Sequence, residues 1–311
     1  MKPKAWAALI AVYIVWGSTY LAIRFTIETI PPFISAGIRF LISGLILYTW
    51  RRLSGDQSPS KVEWRAASIV GLLLLLGGNG ALVWAEQRIP SGIASLFIAT
   101  TPLWMVLIDS FRPGGKRATW LTWVGVFVGL IGIALLANPW QGHSTSSPPP
   151  DMVGIVVLLF GALSWSIGSL YSRSAPLPKS PLLGTGMEML TGSVGLFAFA
   201  TLIGEWKQFD IASISLPSIG GLTYLIIFGS GIGFVAYTWL LRNAPTTIVS
   251  TYAYVNPVVA ILLGSMIAHE PLERVEIISA LIIISGVVLI TTGRALTEKK
   301  LDPVPLTPGE D

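Results

Sequence analysis

The chain contains no cysteine. Disulfides, thiolate metal sites and cysteine nucleophiles are therefore excluded. Charge is scarce as well. Only 12% of the 311 residues are Asp, Glu, Lys or Arg, against about 25% in a typical soluble domain. The two histidines, His143 and His269, fall in loops far apart in sequence, which leaves neither a triad nor a metal cluster to expect. No Gly-x4-Gly-Lys-Ser/Thr loop is present, so the chain does not burn ATP itself. "GSGIGF" (229–234) is glycine-rich but lies inside an apolar run, not after a strand, and so is no dinucleotide fingerprint. No cofactor and no metal are expected. The net charge of +4 is spread over short loops rather than gathered in a patch, which argues against nucleic acid as a partner.

What the chain has in quantity is apolar length. Hydrophobic residues make up 52%, and runs of about 20 residues recur, the length that crosses a hydrocarbon core as helix. The expected fold is an all-α membrane protein with ten transmembrane helices, at 5–26, 32–50, 65–85, 91–110, 118–137, 153–172, 181–203, 217–241, 246–268 and 275–293. The first span follows Lys2 and Lys4 but lacks a small-residue cleavage site, and is read as a retained helix. Residues 138–152, rich in Pro and Ser, read as an irregular linker. With the amino terminus inside, fifteen of the 20 basic residues fall in internal segments, three (Arg88, Lys207, Arg274) in external ones, and Arg24 and Arg39 within spans. That asymmetry places both termini in the cytoplasm and residues 138–152 outside.

The two halves resemble each other. "RIPSGIASLFIATTP" (88–102) aligns with "NAPTTIVSTYAYVNP" (243–257), matching Pro90 to Pro245 and Pro102 to Pro257. "PPFISAGIR" (31–39) meets "SPLLGTGME" (180–188), Trp16 meets Trp165, and "GIALL" (132–136) meets "GVVLI" (286–290). Such colinear self-similarity indicates a duplication. Each copy holds five helices, so the copies face opposite ways: repeat one at 1–137, an external linker at 138–152, repeat two at 153–293 and a polar internal tail at 294–311. Inverted repeats are a transporter architecture with the substrate site near the midplane. Pro102 and Pro257 each free a carbonyl, of Ile98 and Ala253, four residues back. In lipid those carbonyls need a partner or a water-filled cavity. Thr101 and Asn256, each just before its proline, can donate nearby. Helices four and nine are expected to bend there and face a polar cavity; the plainer reading is a kink that serves packing.

"WGS" (16–18), an Arg after "PP" in the second span, and "NP" (256–257) with "HEPL" (269–272) resemble, in this order, the drug/metabolite transporter superfamily, and within it the EamA-like family. The resemblance spans about residues 5 to 293. It implies export of small metabolites through a cavity lined by helices one, three, four, six, eight and nine, in a bacterial inner membrane. The first half departs from the pattern, with "GGKR" (114–117) where the second has "HEPL".

Candidate substrate-binding residues are Trp16, Ser18, Tyr20, Asn79, Thr101, Pro102, Trp104, Trp165, Tyr252, Asn256 and Pro257. The aromatics suit a flat or cationic ligand. Asn79 is an amide among the glycines of "GGNG" (77–80), where a ligand or a backbone comes close. Arg39, Glu188 and Glu86 are the candidate coupling or structural charges, since a charge inside a span is costly. Arg39 and Glu188 are repeat equivalents, but their depths differ by roughly 10 Å, so each is expected to bind polar groups of its own half. Glu86, like Asp109, lies at a helix end, where a side chain reaches water cheaply. "GVFVG" (125–129) has the spacing of a helix-packing motif.

The expected activity is secondary transport of small organic molecules, such as amino acids or aromatic and amphipathic compounds, by alternating access. The alternative is a nucleotide-sugar or sugar-phosphate carrier of the same superfamily, disfavoured because no lysine lies inside a span. A channel or an intramembrane enzyme is a further alternative; the latter needs a nucleophile and base at depth that the sequence does not offer. A monomer suffices for this scheme, with a small-molecule substrate and the lipid bilayer as partners.

Overall fold

The computed structural model describes residues 3–111, 119–137, 151–243, 252–270 and 272–301. Most of the expected linker, the first residues of the ninth expected span, Pro245 and His143 lie outside the described residues. Among those described, every regular element is helical. Eight helices are long and apolar enough to cross a membrane, and two shorter apolar ones, Trp120–Leu136 and Val255–Ile267, accompany them.

In chain order the helices are α1 (Pro3–Thr26), α2 (Pro32–Leu53), α3 (Lys61–Ala85), α4 in two pieces (Ser91–Ile98 and Thr101–Phe111) and α5 (Trp120–Ala137). There follow α6 (Met152–Ser172), α7 (Pro181–Leu202), α8 in three consecutive pieces (Leu216–Tyr224, Leu225–Ile232 and Gly233–Asn243), α9 (Tyr252–Ile267) and α10 (Arg274–Leu301). Local chemistry sets the starts. Pro32 and Pro181 open α2 and α7 at the first turn, where a missing N–H costs nothing. Ser60 and Glu63 form a capping box before α3, with the Ser60 N–H donating to Glu63 at 2.6 Å. Asp151 caps α6 by accepting from Val153 and Gly154. Those N–H donors, that of Gly154 first, together with Arg88, hold the Asp151 carboxyl below the usual carboxylate range.

Two helices change pitch in the middle. Leu72–Gly80 of α3 and Leu225–Ile232 of α8 are π-helical. Each runs from bulky apolar residues into a glycine-rich stretch, "LLLLLGGNG" and "LIIFGSGI". The wider turn shifts the ladder and leaves carbonyls free for side chains, and such segments recur at functional sites.

Water gives no drive for helix association in lipid, so close packing of small residues must supply it. The most extensive pairings are α2 with α7 and α5 with α10. A Cβ on Gly44 would lie 2.9 Å from Met189 Cβ, and one on Gly186 2.9 Å from Tyr48 N. Gly125 of the "GVFVG" spacing meets α10, where a Cβ would lie 2.7 Å from the Gly286 carbonyl, so that motif packs helices as expected. In the centre α1 packs on α8 and α9, while α6 packs on α3 and α4. Arg88, just beyond α3, bridges to Asp151 at the start of α6 at 3.2 Å, so α6 begins where α3 ends. The outer rim carries exposed apolar side chains such as Ile10, Ile46, Phe127, Phe160, Val194 and Leu281, the surface that acyl chains cover.

Gly286→Val forces a side chain between backbones that touch. We expect it to destabilise the protein by about 1–3 kcal/mol, read as a lower melting temperature in detergent, with Ser285→Ala as a neutral control on an exposed face.

Candidate functional site

The sequence placed its candidates around two prolines, and the structure treats the two differently. At Pro102 the helix breaks: its first piece ends at Ile98 and its second starts at Thr101. The freed Ile98 carbonyl accepts from the Thr101 hydroxyl at 2.6 Å, the partner expected. At Pro257 the helix runs through without interruption. The Asn256 amide, oriented to satisfy its surroundings, donates to the Tyr252 carbonyl at 3.2 Å and to the Tyr13 carbonyl of α1 at 3.3 Å. It thus ties α9 to α1 instead of bonding the freed Ala253 carbonyl. The two sites share a feature the sequence did not reveal. Ser166 of α6 donates to the Thr101 carbonyl at 3.1 Å, and Gly17 of α1 lies against the Asn256 carbonyl, where a Cβ would sit 3.2 Å away. In both places the residue just after a tryptophan of the repeat meets the carbonyl just before a proline.

The π segments organise the remaining candidates. Trp16 donates its indole N–H to the Gly229 carbonyl at 3.2 Å. Its ring packs edge-on to Phe234 at 5.4 Å and to Tyr252 at 5.2 Å, and tilts against Tyr237 at 4.9 Å. In this structure these rings fill one another. Ser18 and Tyr224 share a 2.6 Å hydrogen bond, and Tyr20 is buried. On α3, Ser164 of α6 donates to the Leu73 carbonyl at 2.8 Å, and Trp165 lies over Gly78, where a Cβ would come within 2.9 Å of its ring. Asn79, half-buried inside the π segment, makes no side-chain hydrogen bond among the described residues. The Trp104 indole N–H is buried without a partner among them.

Arg39 is buried, and its Nε donates to Ser230 at 2.9 Å while its guanidinium sits 4.8 Å over the Phe40 ring. Ser230 belongs to α8, so the expectation that Arg39 binds within its own half is corrected: the guanidinium reaches across to the serine in the π segment. Arg39 and Glu188 do not pair, as depth required. Glu188 is half-buried with no side-chain hydrogen bond among the described residues. The expectation that Glu86 reaches water is also corrected. It is fully buried, and neither carboxylate oxygen has a partner among the described residues. The Glu86 side chain turns inward while Gln87 and Arg88 of the same turn are exposed.

Two hollows among the described residues lie away from the prolines. One is an enclosed space of about 10 Å³ beside Arg39, walled by Ile23, Thr26, Ser35 and Leu225, with room for about one water. The other is a shallow groove on the outer face of α5 between Trp120, Trp123 and Phe127.

Two carboxylates that sequence reasoning left without a role join the halves at one end. Glu205, after α7, accepts from the first N–H groups of α2, Phe33 at 3.3 Å and Ile34 at 3.1 Å. Burial pushes its carboxyl up, and the two N–H donors pull it back. Glu270, after α9, accepts from Ser91 N at 2.9 Å, Ser91 Oγ at 3.0 Å and Gly92 N at 3.2 Å at the start of α4. Each neutralises the positive end of a helix dipole in the other half.

Comparisons with known proteins agree with this architecture. The model of the EamA-like transporter family matches the chain at residues 4–138 and again at 152–292. The chain is 38% identical over 304 residues to a protein of Escherichia coli K12 described as the uncharacterized inner membrane transporter YedA, covering 94% of this chain and 92% of that one. It is 25% identical to the uncharacterized transporter YoaV of Bacillus subtilis, covering 93% and 97%. It is 23% identical to a chloroplastic WAT1-related protein of Arabidopsis thaliana, covering 92% and 69%. A solved crystal structure shares the fold with a TM-score of 0.63 at 20% identity, covering 97% of this chain and all of that one.

The hydroxyl of Thr101 carries the local claim most directly. Thr101→Val leaves the Ile98 carbonyl unpaired in a water-poor setting and should cost about 1–3 kcal/mol, whereas Thr101→Ser should melt close to wild type.

Proposed function

Because this chain belongs to the EamA-like transporter family, we propose that it is a multi-pass carrier of the bacterial inner membrane that exports small organic metabolites by alternating access. Its relatives are named transporters, and no enzymatic role is assigned to it. In this reading residues 1–137 and 153–293 are two five-helix units of opposite orientation. Residues 138–152 join them outside the cell, and both termini, with the tail from 294, lie in the cytoplasm.

The observation that carries the reading is the symmetry of the helix pairings. Exchange the two units, and α2 with α7 maps onto itself, as does α5 with α10. The α1 pairing with α8 and α9 becomes that of α6 with α3 and α4. The π segments of α3 and α8 exchange too. Inversion is supported by the Arg88–Asp151 bridge, since α1 and α3 end on the side where α6 begins. The family model also matches the two units separately.

The substrate site proposed is the ring of groups around the two prolines and the π segments: Trp16, Ser18, Tyr20, Asn79, Thr101, Pro102, Trp104, Trp165, Tyr252, Asn256 and Pro257. Its open form requires the central helices to part, because the rings now occupy the space between α1, α8 and α9. Asn79 and Trp104, whose amide and indole N–H have no partner among the described residues, are donors available to a polar substrate. The aromatic walls favour amino acids and aromatic or amphipathic compounds. Arg39 holds the helices around this site by its bond to Ser230 of α8, and Glu188 is kept as a candidate coupling charge.

Purified protein in liposomes should show saturable, trans-stimulated flux of such a compound. Asn79→Leu and Trp165→Ala should lower that flux about tenfold, the equivalent of about 1.4 kcal/mol of lost contact in the site, without loss of folding. Flux that rises linearly with concentration indicates a channel instead, and undiminished flux in both variants rules out this site.

A further inference from the structure

Glu86 is the first residue after α3, in the turn that leads to α4. It is completely buried, and both carboxylate oxygens are sealed from solvent without a hydrogen-bond partner among the described residues. Its surroundings do not suit an anion. Arg24 on α1 is the cation beside it, yet its Nη1 donates to the Glu86 backbone carbonyl at 3.2 Å rather than to the carboxylate. Tyr20, also on α1, brings a phenol near Glu86. From the turn after α9 comes a second carboxylate, Glu270, with Glu273 and Glu276 beyond it. The first piece of α4, "SGIASLFI", brings no titratable side chain. Desolvation first, and the charge of Glu270 second, push the Glu86 carboxyl well above the ordinary range, with Arg24 pulling it back.

The place matters as much as the burial. Glu270, whose charge acts on Glu86, clasps the start of α4 through Ser91 and Gly92, so the contact beside Glu86 is one between the two halves. Parting the halves at this end breaks the clasp and admits water to Glu86. We propose that Glu86 is a proton-binding site at the outer seam, occupied while the seam is closed and emptied when it opens, so that external pH biases which way the carrier faces. This rests on the alternating-access reading above.

The sign follows from linkage. In the open form Glu86 meets water and titrates near the ordinary value of about 4.3, while in the closed form its value is higher. Below the ordinary value both forms hold the proton and pH has no effect. Above it, closure must take up a proton, so the closed form loses ground as pH rises, by up to tenfold per pH unit, until the closed-form value is passed.

The absence of native cysteine allows a clean reporter. Ser91→Cys is nearly isosteric, leaves the two backbone bonds to Glu270 in place, and is buried when the seam is closed. In intact cells, its labelling by an impermeant maleimide is compared between the Glu86 and the Glu86→Gln background. Taking the ratio of rates cancels the thiol's own pH dependence. Between about pH 6 and about pH 8 the ratio should climb severalfold or more. A flat ratio overturns the proposal. A second readout is independent of the reporter: at neutral pH, the infrared carbonyl band of a protonated carboxyl should be present in the unmodified chain and weaker in Glu86→Gln. An identical band in both also overturns the proposal. If trans-stimulated flux is intact while these tests fail, only the proton site falls; if wild-type flux is not trans-stimulated, the transport reading itself falls.

Discussion

A backbone that crosses hydrocarbon must satisfy every N–H and C=O from within the protein, and the centre of this molecule is organised by how it meets that demand where the helices are irregular. At the break before Pro102, Thr101 takes the Ile98 carbonyl and Ser166 takes that of Thr101. In the π segment of α8, Trp16 takes the Gly229 carbonyl. In that of α3, Ser164 takes the Leu73 carbonyl. Each irregularity in one helix is thus stabilised by a side chain from another. The central helices cannot move independently of these bonds, and rearranging them is the natural route to opening a site.

The periphery is held by a different device. α2 with α7 and α5 with α10 pack backbone to backbone through glycines, which leaves little freedom to slide. The centre has polar bonds that can be exchanged; the flanks have steric contacts that cannot. At one end, Glu205 and Glu270 clamp the helix starts of the opposite half. This division, with rigid flanks, an adaptable centre and a clasped end, fits a carrier whose halves rock about a middle site.

Much of this was legible in the sequence, for physical reasons. Apolar length placed the helices, and the described boundaries agree closely, though α10 continues to Leu301 and α3 starts at the capping box of Ser60. The role of Thr101 followed from the geometry of proline. The π segments were not read, although "GGNG" and "GSGIG" stood out as glycine runs; pitch depends on packing against α6 and α1, which no single-strand pattern encodes. Arg39 was placed in the wrong half because depth along the membrane normal says nothing about which neighbour a helix faces. Glu86 was sent to water because helix ends usually reach it, and only the tertiary position of the turn after α9 shows that it does not. The hollow by the prolines was inferred from freed carbonyls, and at Pro102 the Thr101 hydroxyl takes the Ile98 carbonyl instead.

The central claim is that two five-helix units face opposite ways across the membrane. Single cysteines placed at Ser144 in the linker and at Lys2 near the amino terminus, labelled with an impermeant maleimide in intact and in permeabilised cells, address it most directly. The account requires the first to react in intact cells and the second only after permeabilisation; reaction of both from the same side of the membrane would contradict it.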